Sequence, residues 1–433
     1  MRADCNNGPV NDHHAGATTA PTTVVAGTGS PAPKRLSRLG ALRHRDYRYL
    51  LIGTMGSLMG DWIQSVGQGW LVYILSGSAA QLGIFAFVRG VAILAVMPCG
   101  GAIADRVNRR TLLVISTTLG ALNATLLAVL VVTHHIALWQ LYFTSIIDGT
   151  VASIGLPARQ TMVYDVLGAE DLANGIALNA MGGNIVRIIG PSLGGLLIGV
   201  TGLSSCFVAQ ASSYAIATVA MFLIRTRGGQ TSTRVSIIKS IADGVRYTAH
   251  ESLMLTLLLV TLVPSLLVYP YVGFMPVFAE KVWKVGASGN GILLTGVGFG
   301  SIAGAAWVAS HANIRRRGLI MFVSNIVYML FVVAFATSPF FLLGFSCLIF
   351  AGVANSIYNT YNQTLLQLYV DDEYRGRVLS LYLMLSAITP VGSLAMGTMI
   401  DHFGARGVVA GWALVAALLM ALITLRAKHA RAL

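Results

Sequence analysis

The chain has 433 residues, 55% of them hydrophobic and only 10% charged, with a formal net charge of +13. A soluble domain carries about 25% charged residues, so this composition excludes a water-soluble globule. The apolar runs, such as 253–263 and 408–425, are unbroken, which excludes an outer-membrane barrel with its alternating segments of about ten residues.

Residues 1–39 are expected to form a disordered cytoplasmic tail, because 1–33 are rich in Gly, Ala, Thr and Pro and hold no apolar helix. Twelve spans are predicted after it. Six fall at 48–75, 80–104, 111–133, 138–159, 174–200 and 203–224, and six at 252–279, 288–310, 318–337, 339–361, 378–401 and 407–427. The expected fold class is an all-α membrane protein with 12 transmembrane helices in two pseudo-symmetric six-helix bundles. The bundles cover 40–224 and 252–427, joined by a cytoplasmic loop over 225–251 and followed by a tail at 428–433. Basic clusters mark alternate loops: Arg43, Arg45 and Arg48; Arg106, Arg109 and Arg110; Arg315, Arg316 and Arg317; and Arg426 with Arg431. The other loops carry few, namely Lys281, Lys284 and Arg406. The positive-inside rule therefore places both termini in the cytoplasm, and the +13 is topological rather than a nucleic-acid signal.

On the first span Asp61, Gln64 and Gln68 share a face, with Ser57 and Gly60 beside them. Asp61 lies about 20 Å along the helix from Arg48 at 1.5 Å per residue. Arg89 on the second span, Asp148 on the fourth and Arg187 on the fifth come at similar depth. Charges there are costly and mark function by default. Burial and a neighbouring arginine act in opposite directions on a carboxylate's proton affinity, as a proton-coupling group requires. Asp61 or Asp148 is expected to carry the proton and Arg187 or Arg89 to tune it; a static ion-pair network that fixes helix packing is the competing reading.

The second span closes on Gly101-Ala-Ile-Ala-Asp105-Arg106-Val-Asn108-Arg109-Arg110. Gly101 permits close helix approach, and Asp105 can accept bonds at a facing helix N-terminus, so this loop is expected to latch the two bundles in one state. The loop resembles the signature of the major facilitator superfamily, and the resemblance covers about 40–427. Asn108 stands where the family has a glycine, and asparagine also tolerates a left-handed turn. The fifth span carries Gly190-Pro191-Ser-Leu-Gly194-Gly195, similar to the antiporter motif of the superfamily's drug:proton exporters, although Val186 replaces a further glycine. Gly60-Asp61-Trp62, Pro157-Ala-Arg159-Gln160, Arg187-Ile-Ile-Gly190 and Arg375-Gly376-Arg377 resemble the branch holding enterobactin-type siderophore exporters and macrolide efflux proteins. That resemblance implies a secondary exporter of the bacterial inner membrane, and leaves siderophore and drug both open as cargo.

In the second half, span seven holds Pro264, Tyr269, Pro270, Tyr271 and Pro276, which predicts a kinked helix lining a cavity. Asn355, Asn359 and Asn362 recur on one face of span ten, with Tyr358 near them. With Gln64 and Gln68, these aromatic and amide groups are expected to line a site for an amphipathic organic molecule; interhelical bonding and core packing is the alternative. Acidic loops at Asp165, Glu170 and Asp171 and at Asp371, Asp372 and Glu373 can pair with the basic loops as gates, or stay solvated. Gln160-Thr161 recurs as Gln363-Thr364, and at the same offset Gly101 maps to Gly304. Such repeats place a substrate site at their interface. No phosphate-binding loop, protease or esterase motif or metal-ligand spacing occurs. The expectation is a monomeric proton-coupled exporter with no enzymatic activity, metal or cofactor, its partners being a small molecule, protons and lipid. The alternatives are a nutrient importer of the same fold and a non-transporting sensor or assembly subunit.

Overall fold

The computed structural model describes residues 40–226, 245–248, 251–311, 314, 316–371, 374–427 and 430–431, with backbone alone over 98–106. The expected tail at 1–39, most of the expected linker (227–244 and 249–250) and 428–429 and 432–433 lie outside the described residues.

Among the described residues, twelve helices carry the fold. They are α1 (Arg45–Ser76), α2 (Ala79–Arg106), α3 (Arg109–Val132), α4 (Leu138–Thr201), α5 (Leu203–Phe222), α6 (Ser252–Leu267), α7 (Gly286–Ser310), α8 (Arg317–Thr337), α9 (Phe341–Tyr369), α10 (Arg375–Ser386), α11 (Thr389–Phe403) and α12 (Ala405–Arg426). Helices and spans do not correspond one to one. α4 holds two spans, parted at Gly168 with φ 64° and ψ −170°, a conformation open essentially to glycine. α10 and α11 make one span, parted just ahead of Pro390, which has no N–H to offer the Ser386 carbonyl. α6 continues as a 3-10 turn over Tyr269–Phe274 and a π-turn over Phe278–Val282, so the proline-rich span is kinked as its sequence predicts. By length and hydropathy ten helical runs can cross a membrane. Dividing α4 adds one, and α1, whose polar stripe lowers its hydropathy, is the twelfth.

The first bundle packs α1 against α4 and α5, α3 against α4 and α5, and α2 against α4. The second packs α9 between α7 and α8, and α8 against α12. Two seams join the bundles, α4 with α7 and α2 with α11. Both seams lie toward the face opposite the termini. A Cβ on Gly90 would strike the Pro390 ring, and one on Gly195 would come within 2.6 Å of the Gly291 Cα. The Ser192 and Thr295 hydroxyls bond at 2.5 Å across the α4–α7 seam.

A carboxylate seals that far face. Asp401, at the end of α11, accepts the Ala79 N–H at 2.7 Å, the Ala80 N–H at 2.9 Å and the Ser78 hydroxyl. It thus caps α2 from the opposite bundle, where the helix dipole favours negative charge. Beside it, α1 ends at Gly77 (φ 64°), whose N–H returns to the Tyr73 carbonyl at 2.7 Å. Lys281 from the second bundle stands 5.7 Å from the Tyr73 ring centre. A side-chain cap is worth about 1 kcal/mol, so Asp401→Ala is expected to shift the equilibrium toward an open far face by about fivefold. The check is labelling of Thr295→Cys, in a chain without native cysteines, by a membrane-impermeant maleimide added on that face; an unchanged rate would show that the cap does not hold the seam.

On the termini side several polar contacts close within a single bundle. Asp46 accepts bonds from Arg225 and Thr226, both at its own bundle's edge. Arg109 holds Asp165 through two bonds of 2.7 and 2.8 Å, with both side chains about nine-tenths buried. His44 reaches Asp171 at 3.0 Å. Asp165 and Asp171 therefore pair with basic groups of their own bundle, while Glu170 is exposed. Tyr247 stacks on Tyr374 at 4.3 Å and donates to Asp371 at 3.1 Å in the second bundle.

Candidate transport site

The polar stripe of α1 turns into its own bundle. Asp148 on α4 is 7% exposed. Its carboxylate receives the amide of Gln64, the amide of Gln68 at 3.4 Å and the amide of Asn123 from α3 at 2.7 Å. Arg89 on α2 makes no ion pair with Asp148 among the described residues. Two acceptors on the same amides, Gln64 Oε1 and Asn123 Oδ1, are buried without partners among the described residues. Either amide, turned over, would present an acceptor to a protonated Asp148. The cluster is thus built to hold the carboxylate and the carboxylic acid alike.

One turn toward the termini, Asp61 accepts the Tyr214 hydroxyl at 2.5 Å. The Tyr214 ring, from α5, is slotted between Gly60 of α1 and Gly120 of α3; a Cβ on either glycine would overlap it. Arg159 on α4 donates to the Ser57 hydroxyl at 2.8 Å. Gln64 and Gln68, expected on the cavity wall, are instead 1% exposed and committed to Asp148. Periodicity gives the shared face of α1, but rotation about its axis sends that face to α3, α4 and α5. Trp62, one residue on, faces the other bundle.

Between the bundles lies the cavity. Its inner part, a narrow space of about 60 Å³, is lined by Trp62, Arg187, Tyr269 and Asn355 among others, with Tyr271 and Tyr328 almost wholly buried at its edge. Arg187 and Asn355 also line a more open part, about 210 Å³, with Asn184, Asn359, Gln363 and Tyr382. The second part runs along α7 past Ser301 and Ala305 toward the termini. Tyr269 is the hub of the second bundle's wall: its hydroxyl bonds Tyr358 at 2.6 Å and accepts the amides of Asn355 at 2.9 Å and Asn359 at 2.7 Å. Tyr358 itself is 1% exposed, behind the wall rather than on it. Asn362 turns away and donates to Thr261 at 2.7 Å.

Arg187 stands apart from the acid cluster, exposed in the cavity with its guanidinium 6.0 Å from the Trp62 ring centre. The glycine-proline motif lies directly beyond it. Gly190 faces Trp62, Gly194 faces the Ile63 backbone, and Gly195 meets Gly291, while a Cβ on Gly291 would reach the Pro191 carbonyl at 2.9 Å. The motif therefore packs α4 between α1 and α7 and forms part of the far-side seam. Of the expected gating loop, the side chains of Gly101, Asp105 and Arg106 lie outside the described residues. Arg109 pairs with Asp165, and Arg110 donates to the Phe222 carbonyl at 2.7 Å. Asn108, at φ −54°, caps α3, accepting the Arg110 N–H at 3.0 Å.

A sequence profile described as "transmembrane secretion effector", a branch of the major facilitator superfamily, matches residues 36–433. The chain belongs to this family. Among its relatives, the staphyloferrin A transporter of Staphylococcus aureus is 26% identical over 82% of this chain and 90% of its own. The enterobactin exporter EntS of Shigella flexneri is 22% identical over 78% and 81%. The crystal structure of the nucleoside transporter NupG matches in fold with TM-score 0.69 at 13% identity, over 89% of this chain and 99% of that one. A bacterial homologue of the lysosomal transporter Spinster, inward-facing and occupied, gives 0.69 at 13%, over 90% and 98%. The fold is thus the major facilitator fold, and the protein is a multi-pass membrane transporter, not an enzyme.

Proposed function

We propose that this protein is a proton-coupled exporter of an amphipathic small molecule, a siderophore or a drug, working by alternating access in the bacterial inner membrane with both termini cytoplasmic. The observation that carries this reading is the pairing of two features across α1. On one side Asp148 sits in an amide cluster suited to both of its protonation states. On the other an aromatic and amide cavity widens toward the termini while glycine seams close the far face. Asp61, held by Tyr214 beside the cluster, is the second proton-coupling candidate, and Arg89 the charge that biases Asp148. The positive-inside pattern makes the open side cytoplasmic, so the state is one that loads from within. Names among the relatives, a siderophore transporter and a siderophore exporter, support the direction and the class.

The test uses inverted membrane vesicles with an acid interior, offered iron-free enterobactin or staphyloferrin A, and a cationic dye as the drug arm. Accumulation that follows the proton gradient and collapses with a protonophore is expected for at least one of them. Gradient-independent uptake would remove proton coupling, and accumulation only in right-side-out vesicles would reverse the direction.

A further inference from the structure

We infer that Arg187 is the docking point for an oxyanion on the cargo, and that the transported molecule is an acidic amphiphile bearing a carboxylate rather than a cation. This rests on the reading of the inter-bundle cavity as the transport path. Arg187 lines both the inner and the open parts of that cavity. Among the described residues it has neither an ion pair nor a hydrogen bond, only the face of Trp62 at 6.0 Å. Its five N–H donors are thus available in a fork that matches a carboxylate. The acids at similar depth in the first bundle are engaged elsewhere: Asp148 is enclosed by three amides and Asp61 is bonded to Tyr214. Among the described residues no acidic side chain lines either part of the cavity, so a cationic cargo would meet a like charge with nothing to offset it.

The rest of the wall fits the remainder of such a molecule. Tyr269 and Tyr382 offer ring faces, and Asn359 and Gln363 bring amide groups to the cavity that Arg187 lines. An unpaired arginine at membrane depth is costly, and an anionic cargo removes that cost while it is bound. Arg187 is also placed at the seam, since a Cβ on Gly298 of α7 would lie 3.4 Å from the Arg187 carbonyl. An anion held there sits where α4 and α7 must part.

The experiment measures binding by equilibrium dialysis to the full chain in phosphatidylcholine nanodiscs, which supply no anionic lipid. The probes are N-(2,3-dihydroxybenzoyl)serine, its methyl ester and tetraphenylphosphonium. A charge-assisted hydrogen bond predicts that the acid binds wild type about tenfold or more tighter than the ester. Arg187→Gln is expected to make the two equal, and Arg187→Lys to restore part of the difference. The inference falls if the ester matches the acid, if neither binds, if Arg187→Gln keeps the preference, or if tetraphenylphosphonium binds tighter than the acid. The two readings fail separately. Gradient-driven transport of a neutral or cationic probe without binding of the acid would sink this inference and leave the exporter standing. Binding of the acid without gradient-driven transport would do the reverse.

Discussion

Asp148→Asn is expected to abolish uphill transport in inverted vesicles while leaving the protein inserted and able to exchange substrate across an equilibrated membrane. A proton moving through a gradient equivalent to 100 mV releases about 2.3 kcal/mol, enough for about a fiftyfold concentration ratio of cargo. Without a group to bind and release that proton, the ratio falls to about one. The fold is expected to tolerate the change. Asparagine keeps the shape of the carboxylic acid, and its NH2 can donate to Gln64 Oε1 or Asn123 Oδ1, which now lack partners among the described residues. Counterflow of labelled against unlabelled substrate therefore separates the outcomes. Preserved counterflow with lost accumulation identifies a coupling residue, whereas loss of both identifies a structural one. Accumulation at the wild-type level would remove Asp148 from the mechanism and pass the role to Asp61, for which Asp61→Asn is the parallel measurement.

The existence of that cluster was legible in the sequence, but its facing was not. Charges and amides at span centre stand out because an apolar helix has no other reason to hold them. The spacing of Asp61, Gln64 and Gln68 gave the shared face of α1. It could not say whether that face meets the cavity or the bundle interior, because this depends on the rotation of α1 against helices distant in sequence. Tyr214 and Asn123 complete the cluster, yet each is a single neutral residue in an apolar span and carries no mark of its own. The slot that admits Tyr214 is made by Gly60 and Gly120 on separate helices, a pairing visible only in three dimensions. Arg159 was read as part of a motif at a span end, but α4 continues unbroken to the kink at Gly168 and carries it into the bundle. The kink of span seven, by contrast, followed directly from its prolines, since a missing N–H acts locally.

The same distinction between local and distant causes applies to the glycine-proline motif, and it yields the second large effect. The sequence shows that Gly195 permits close approach; the structure supplies the partner, Gly291 on α7. A Cβ at 195 would lie 2.6 Å from the Gly291 Cα, 3.0 Å from its nitrogen and 3.3 Å from the Ala287 carbonyl. All three are backbone atoms, so no side-chain rotation relieves the overlap, and α7 must move away from α4. Overpacking of this kind costs about 1–3 kcal/mol, and 2 kcal/mol is about a thirtyfold shift in an equilibrium. The cost falls on the state whose far face is closed, because alternating access parts these two helices in the other. Gly195→Val is therefore expected to populate the far-side-open state, to slow transport by about tenfold or more, and to raise labelling of Thr295→Cys from the far face. Gly183→Ala, on the same helix with nothing within 4 Å of its added Cβ, is the control that should leave both readings unchanged. If Gly195→Val transported at the wild-type rate with Thr295→Cys still protected, the α4–α7 seam would not be the gate, and the motif's role would reduce to packing α4 on α1.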